Sequence, residues 1–298
     1  MLRDFDELKA LIGSRKKKTV AVAAAHDAHT LEAAFKAHKE GILDYVLIGQ
    51  IEEIKGIASE EGIELKESEL LEARDDDDAA RKAVELIKAG DADFIQKGIM
   101  QTSTLLRAVV NKETGLNLGR VISHTAILDI PGYDRLLGVA DGGMLPAPDL
   151  EQKKAITLNA VEVYHRLGYE EPRVAAVCAA ETVSPKIQET VDAAALKEAA
   201  LRGEFGRCLL EGPISFDLAV NKGSARIKGY DSPVSGETDI MIVPTMASGN
   251  MMVKAMIEFG GAKMTGVVTG AKCPLAVNSR SASFEEKYYS LVACALIC

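Results

Sequence analysis

Tryptophan is absent from this 298-residue sequence, aromatic residues make up only 5% of it, and cysteine occurs five times. Cys178, Cys208, Cys273, Cys294 and Cys298 are odd in number and scattered, with no C-x-x-C pair. Neither a disulfide framework nor a zinc site is indicated, and a reducing compartment is expected. No run approaches the ~18 apolar residues of a membrane span. The charged start Met1-Leu2-Arg3-Asp4-Phe5-Asp6 lacks the apolar stretch of a secretory signal, so a cytoplasmic protein is expected. Positive charge is also short. Thirty-five Lys and Arg against 44 Asp and Glu leave a net charge of -9, which argues against nucleic acid or an anionic membrane as partner. An anionic small substrate would be held by a few placed cations, and Lys97, Arg107, Arg120 and Arg280 are the candidates. The phosphate fingerprints G-x-x-x-x-G-K-[ST] and, after the first strand, G-x-G-x-x-G are both missing. A P-loop kinase and an ordinary dinucleotide-binding dehydrogenase lose ground accordingly.

What is present is an apolar content of 47%, enough for a core, in a chain about twice the length of a ~150-residue domain, so two lobes are expected. Apolar runs of strand length alternate with amphipathic stretches of helix length. Residues 18–25 read as a buried strand, 27–41 as a helix and 45–49 as the next strand, and the rhythm continues through a helix at 77–89 and a strand at 94–96. Such alternation predicts an α/β fold with a mostly parallel sheet covered by helices, and active residues at strand C-termini. The acidic run Asp75 to Asp78 precedes a helical pattern and favours the helix dipole over a metal cluster. Around Pro131-Gly132-Tyr133-Asp134 two strand-like runs read as a hairpin that interrupts the rhythm, which resumes at Asp149.

Four strand ends carry polar residues. At Lys97-Gly98 with Thr102, glycine would let backbone amides approach an anion beside an ammonium and a hydroxyl; a solvated lysine in a turn is the other reading. Gly212-Pro213 reads as a turn after a strand, placing Ser215 and Asp217 at its end, with Asp217 either a site residue or a helix N-cap. Ser248, Gly249 and Asn250 offer donors at a helix start, for an anion or for capping alone. At the fourth end, Ser279-Arg280-Ser281 puts a planar cationic fork among hydroxyls before a helix at 284–297.

Taken together, Lys97-Gly98 with Thr102, the block from Arg120 to Asp149 containing Ser123-His124, Gly212-Pro213 with Asp217, Gly249-Asn250 and Ser279-Arg280 resemble the phosphate acetyl/butyryl transferases, more closely the butyryl type, over nearly the whole chain. The resemblance implies a two-lobed fold similar to isocitrate and isopropylmalate dehydrogenases, with the active site in a cleft. Lobe one would be 1–130 plus 269–298, and lobe two 131–268. It implies interconversion of acyl-CoA plus phosphate with acyl phosphate plus CoA, by direct attack in a ternary complex. Coenzyme A would be a substrate, with no bound cofactor and no metal, in a homo-oligomer. On this carry-over Arg280 clamps phosphate and Ser279 supports the oxyanion or the CoA sulfur. Glu286 stands where the acetyltransferases carry an aspartate base, or it is solvated helix surface. Arg120 with Ser123, His124 and Thr125 forms a second anion group, although His124 also fits a core histidine, and Lys97 and Thr102 line the same cleft. Gly142-Gly143 replaces a bulkier residue of the acetyl-specific relatives and suggests a wider acyl pocket. A phosphate acetyltransferase is the nearest alternative. A metal-dependent decarboxylating dehydrogenase of similar fold, or a non-catalytic CoA-ester-binding paralogue, lies further off.

Overall fold

The structure, a computed structural model, describes residues 1–279 and 282–298. Its contacts divide the chain into two compact units, Asp6–Arg120 with Thr265–Cys298, and Met1–Phe5 with Val121–Met264. The expected divisions at 130 and 268 fall later in the chain than these. The reason at the first is the hairpin: its leading strand pairs with its trailing one, so both belong to the second unit.

In the first unit the elements run α1 (Phe5–Ala10), β1 (Lys18–Ala23), α2 (Ala28–Lys39), β2 (Leu43–Gly49), α3 (Ile51–Glu60), β3 (Leu70–Glu72), α4 (Asp76–Ala89), β4 (Phe94–Lys97) and α5 (Thr102–Val110). The second unit follows with β5 (Ser123–Asp129), β6 (Leu137–Ala140), α6 (Leu150–Arg166), β7 (Arg173–Val177), α7 (Gln188–Leu201), β8 (Leu209–Ile214), α8 (Phe216–Val220), α9 (Lys222–Lys228), β9 (Ile240–Ile242) and α10 (Met246–Glu258). The chain then returns through β10 (Lys263–Thr269), β11 (Leu275–Ala276) and α11 (Phe284–Ile297).

Within the first unit the strand order is β3-β2-β1-β4-β11-β10. All neighbours are parallel except β10 and β11. Val20 to Val22, Phe94 and Ile95 are fully buried, as expected of parallel strands covered on both faces. Asp75 caps α4 by accepting from Asp78 N at 2.8 Å, which gives the acidic run its helix-starting role. Helix α11 is anchored to α2 by Lys287, whose buried ammonium meets the Asp27 carboxylate and donates to Thr30 Oγ1 at 2.9 Å. The same carboxylate caps α2 through Thr30 N.

The second unit has the order β5-β6-β9-β7-β8, with β5 and β6 antiparallel and the rest parallel. Gly212 and Pro213 lie inside β8 rather than in a turn after it. Proline is tolerated there because β8 is the edge strand and its missing N–H leaves no ladder partner unsatisfied. Gly212 is required by packing: a Cβ would stand 2.8 Å from Ala176 Cβ and 3.1 Å from the Ala193 carbonyl oxygen of α7. Leu128, Leu137, Val139, Ala175 and Met241 form part of one core, on the sheet face that carries the even-numbered residues of β5.

Candidate active site

Each unit brings part of the expected site to the C-terminal edge of its parallel strands. In the first unit the register Ala276↔Gln96 puts Lys97, which ends β4, level with Val277, just before Asn278 and Ser279. Lys97 is not a solvated turn residue: it is 3% exposed, and its ammonium donates to Gly98 O at 3.1 Å and Met100 O at 3.2 Å. Gly98 is set by close approach, since a Cβ there would lie 2.0 Å from the carbonyl oxygen of Ala24. Ala24 itself turns through φ 56°, in the left-handed region rarely taken by residues bearing a Cβ. Thr102 opens α5 and is half-buried. Arg120 is exposed. Arg107 pairs with Asp77 at 3.4 Å, which ties α5 to α4.

Ser279 is exposed, and Arg280 lies outside the described residues. The approach to the pair is well defined. Asn278 is 5% exposed and its Nδ2 donates to Ser290 Oγ at 2.8 Å and Glu286 Oε1 at 3.3 Å, pinning the strand end to α11. Ser283 caps α11 by accepting from Glu286 N at 3.2 Å, so Glu286 occupies the third helical position and is half-buried rather than solvated surface. Burial pushes its carboxyl above the usual carboxylate range, against the opposing pull of the Asn278 hydrogen bond and of Lys287.

That shift has a sign in both activity and stability. The unfolded chain gives up the Glu286 proton at lower pH than the folded chain, so as pH rises between the two pKa values the ionised group lowers stability. A Glu286→Gln variant is expected to match the native protein in urea unfolding at pH 4, below the ordinary carboxylate value of ~4.3, and to exceed it at pH 8. If Glu286 is the base, the same variant loses about 10²-fold in kcat, together with the acid limb of the rate profile. An unchanged profile would remove Glu286 from the reaction.

In the second unit the structure separates residues that were expected to act together. Alternation along β5 puts Ser123 and Thr125 on one face and His124 on the other. Ser123 is buried against α6, where its Oγ accepts from Asn159 Nδ2 at 2.8 Å, and Thr125 is buried on the same side. Neither joins His124 in an anion group. His124 is half-buried beside the loop after β6, and burial lowers its pKa, with the Asp141 charge opposing. The imidazole is therefore neutral near pH 7.

Ser215, not Asp217, holds the N-cap position of α8, and it makes no side-chain cap bond. Its Oγ instead lies 2.6 Å from Glu181 Oε1 and 2.7 Å from Asp217 Oδ1, and Lys228 Nζ pairs with those carboxylates at 2.8 and 3.2 Å. One ammonium thus serves both carboxylates, and the Ser215 hydroxyl bridges them. Ser248 is the third residue of a capping box with Thr245 and donates to Thr245 O at 2.8 Å, so capping rather than anion binding accounts for it. Gly249 and Asn250 follow in the first turns of α10, packed on Gly142: a Cβ on Gly249 would lie 3.0 Å from Gly142 Cα, and Asn250 Nδ2 donates to Gly142 O at 3.3 Å.

Asn278, Asp141 and the Glu181–Lys228 pair went unrecognised in the sequence. Ser283-x-x-Glu286 is a readable capping signal and would have placed Glu286 at a helix start. Asp141-Gly142-Gly143 after a strand is a readable turn, but nothing in it says that the carboxylate turns inward.

Comparison with known proteins shows the family of the chain. The sequence profile of the family described as phosphate acetyl/butaryl transferase matches residues 6–81 and 74–295. The chain belongs to the phosphate acetyl/butaryl transferase family. It is 38% identical to phosphate butyryltransferase of Clostridium acetobutylicum over 297 residues, covering 100% of this chain and 99% of the relative. Among solved structures, a branched-chain phosphotransacylase from Enterococcus faecalis V583 superposes with TM-score 0.81 at 31% identity, covering 94% of this chain and 99% of that one. A 4-hydroxythreonine-4-phosphate dehydrogenase from Klebsiella pneumoniae shares only 12% identity with TM-score 0.55, over 95% of this chain and 100% of that one, and attests the fold alone. For this phosphate acetyl/butaryl transferase family member, the dehydrogenase-like α/β fold and the transferase family expected from the sequence are both present.

Proposed function

We propose that the protein interconverts short-chain acyl-CoA plus phosphate with acyl phosphate plus CoA, butyryl-type in preference, with both substrates bound together. The observation that carries the reading is the full-length match to phosphate butyryltransferase. It is supported by the arrangement at the first unit's sheet edge, where Ser279 follows a buried Asn278 bonded to Glu286 and Lys97 ends the neighbouring strand.

In the direction of acyl phosphate synthesis, a phosphate oxygen attacks the thioester carbonyl, the carbonyl oxygen gains charge, and the C–S bond breaks to release CoA, whose sulfur takes up a proton. Arg280 would hold the phosphate and Ser279 would donate to the developing oxyanion or the sulfur. In reverse, the CoA thiol, with an ordinary pKa of ~8.5, gives its proton to Glu286 before attacking the acyl phosphate. Four of the five cysteines give no support to a covalent route through an enzyme thiol: burial raises Cys178 and Cys273 to about 12 and Cys208 to about 11, and Cys294 rises by the same cause. No metal enters the scheme.

The butyryl preference rests on the relatives rather than on Gly142 and Gly143, because the space beside them is taken: a Cβ on Gly142 would lie 3.2 Å from Gly249 C and one on Gly143 3.3 Å from His124 Cβ. The similar branched-chain phosphotransacylase supports an acyl group larger than acetyl. One methylene is worth only ~1–3 kcal/mol, so neighbouring chain lengths are also used. The proposal places the protein in a reducing cytoplasm as a homo-oligomer; no disulfide joins its cysteines among the described residues, and no helix among them is long and apolar enough to cross a membrane. The test is a panel of acetyl-, propionyl-, butyryl- and isobutyryl-CoA with phosphate and no added metal, followed by thiol release. Release is expected throughout and fastest with the four-carbon esters; silence across the panel would sink the reading.

A further inference from the structure

Asp141, the first residue after β6, is 2% exposed, and among the described residues no cation pairs with it. A buried carboxylate without such compensation is costly, and here backbone amides supply it. Oδ1 accepts from Gly143 N at 2.9 Å, Met144 N at 3.1 Å and His124 N at 3.3 Å, and Oδ2 accepts from Leu145 N at 3.0 Å. One side chain thus fixes the course of the loop and ties it to β5.

The loop bears directly on His124. A Cβ added at Gly143 would lie 3.3 Å from His124 Cβ and 3.4 Å from its Cγ and Nδ1, so the glycine lies against the imidazole with no room to spare. On its outer side the loop is braced by α10, where Asn250 Nδ2 donates to Gly142 O at 3.3 Å and Met246 N donates to Pro146 O at 3.2 Å. A ring held this way in its uncharged form offers one N–H donor and one acceptor nitrogen in fixed directions.

We propose that Asp141 is a positioning residue for acyl transfer, fixing loop 142–145 and, through Gly143 and the His124 amide, the imidazole that donates a hydrogen bond to the substrate oxygen as it gains charge. This rests on the acyl-transfer reading above. Asp141→Asn keeps the shape of the side chain but turns an NH2 group toward amides that need an acceptor, so the loop loosens and the ring shifts.

The test compares Asp141→Asn, Gly143→Ala, His124→Gln and the Asp141→Asn/His124→Gln double variant with butyryl-CoA and phosphate. Asp141→Asn is expected to lower kcat about 10²-fold, the scale of a misplacement of order 1 Å, with KM for both substrates within about threefold. Gly143→Ala, which pushes the ring without touching the carboxylate, should lower kcat in the same manner and serves if the Asn variant fails to fold. In the His124→Gln background the Asp141 change should add nothing. Additive losses, or a change confined to KM, would overturn the proposal. A second readout needs no turnover: imidazole 15N signals of His124 in the unliganded protein should move in Asp141→Asn, and unmoved signals would also overturn it. If the native protein proves inactive on the acyl-CoA panel, the functional reading fails on its own while the NMR arm still decides whether Asp141 sets His124.

Discussion

Arg280→Ala is expected to lose on the order of 10³-fold in kcat/KM while the protein stays folded. The chain is acidic overall, so phosphate must be drawn in and held by local cations, and a guanidinium matches two phosphate oxygens with two parallel N–H donors. Losing one donor aimed at developing charge costs ~10²–10³-fold, and losing an arginine on a transferring phosphoryl group ~10³–10⁵-fold. Arg280→Lys restores charge without the fork and should recover only part of the rate. The loss should appear mainly in kcat, with a smaller rise in KM for phosphate and little change in KM for acyl-CoA. Steady-state kinetics with each substrate varied, beside circular dichroism spectra that match the native protein, makes the check. Near-native rates in Arg280→Ala would move the phosphate clamp to another cation, with buried Lys97 first in line.

Asp192→Ala is expected to destabilise the second unit by ~3–5 kcal/mol. Lys153 on α6 and Asp192 on α7 meet at 2.6 Å with side chains each 8% exposed, and Gln188 Nε2 donates to the second carboxylate oxygen at 2.8 Å. Removing the carboxylate leaves an ammonium buried between two helices with no counter-charge. For a unit of this size the loss corresponds to a Tm fall of roughly 6–20 °C. Replacing both residues together, Lys153→Met with Asp192→Leu, should be close to neutral, because the penalty lies in the orphaned charge rather than in the loss of the pair. A double variant as unstable as Asp192→Ala would show that the pair itself holds α6 to α7. Neither change should alter KM for either substrate.

The strand and helix rhythm was legible because parallel strands buried on both faces write continuous apolar runs, as at Val20 to Ala23, and helices between them write amphipathic ones. The hairpin was legible too, and its pairing explains why β5 groups with the second unit rather than the first. Gly212-Pro213 misled because turn chemistry is a local signal. Whether a proline can sit in a strand depends on the strand being at a sheet edge, and that order is not written locally. Which polar residues share a face was hard to read for a related reason. Ser123, His124 and Thr125 are adjacent in sequence, yet the period-2 alternation of β5 sends His124 to the face opposite Ser123 and Thr125. Lys97 and Asp141 could not be read as buried, since an ionisable residue looks the same in sequence whether water or backbone amides satisfy it.

One measurement tests the central claim most directly. The native protein is incubated with butyryl-CoA and inorganic phosphate in a chelating buffer, and phosphorus NMR is recorded while free thiol is titrated. An acyl phosphate signal growing in step with thiol, one for one, and reversing when CoA is added in excess, is the predicted result. Thiol release that proceeds without phosphate, or with phosphate but without an acyl phosphate signal, would contradict it, because the acyl group would then be passing to water.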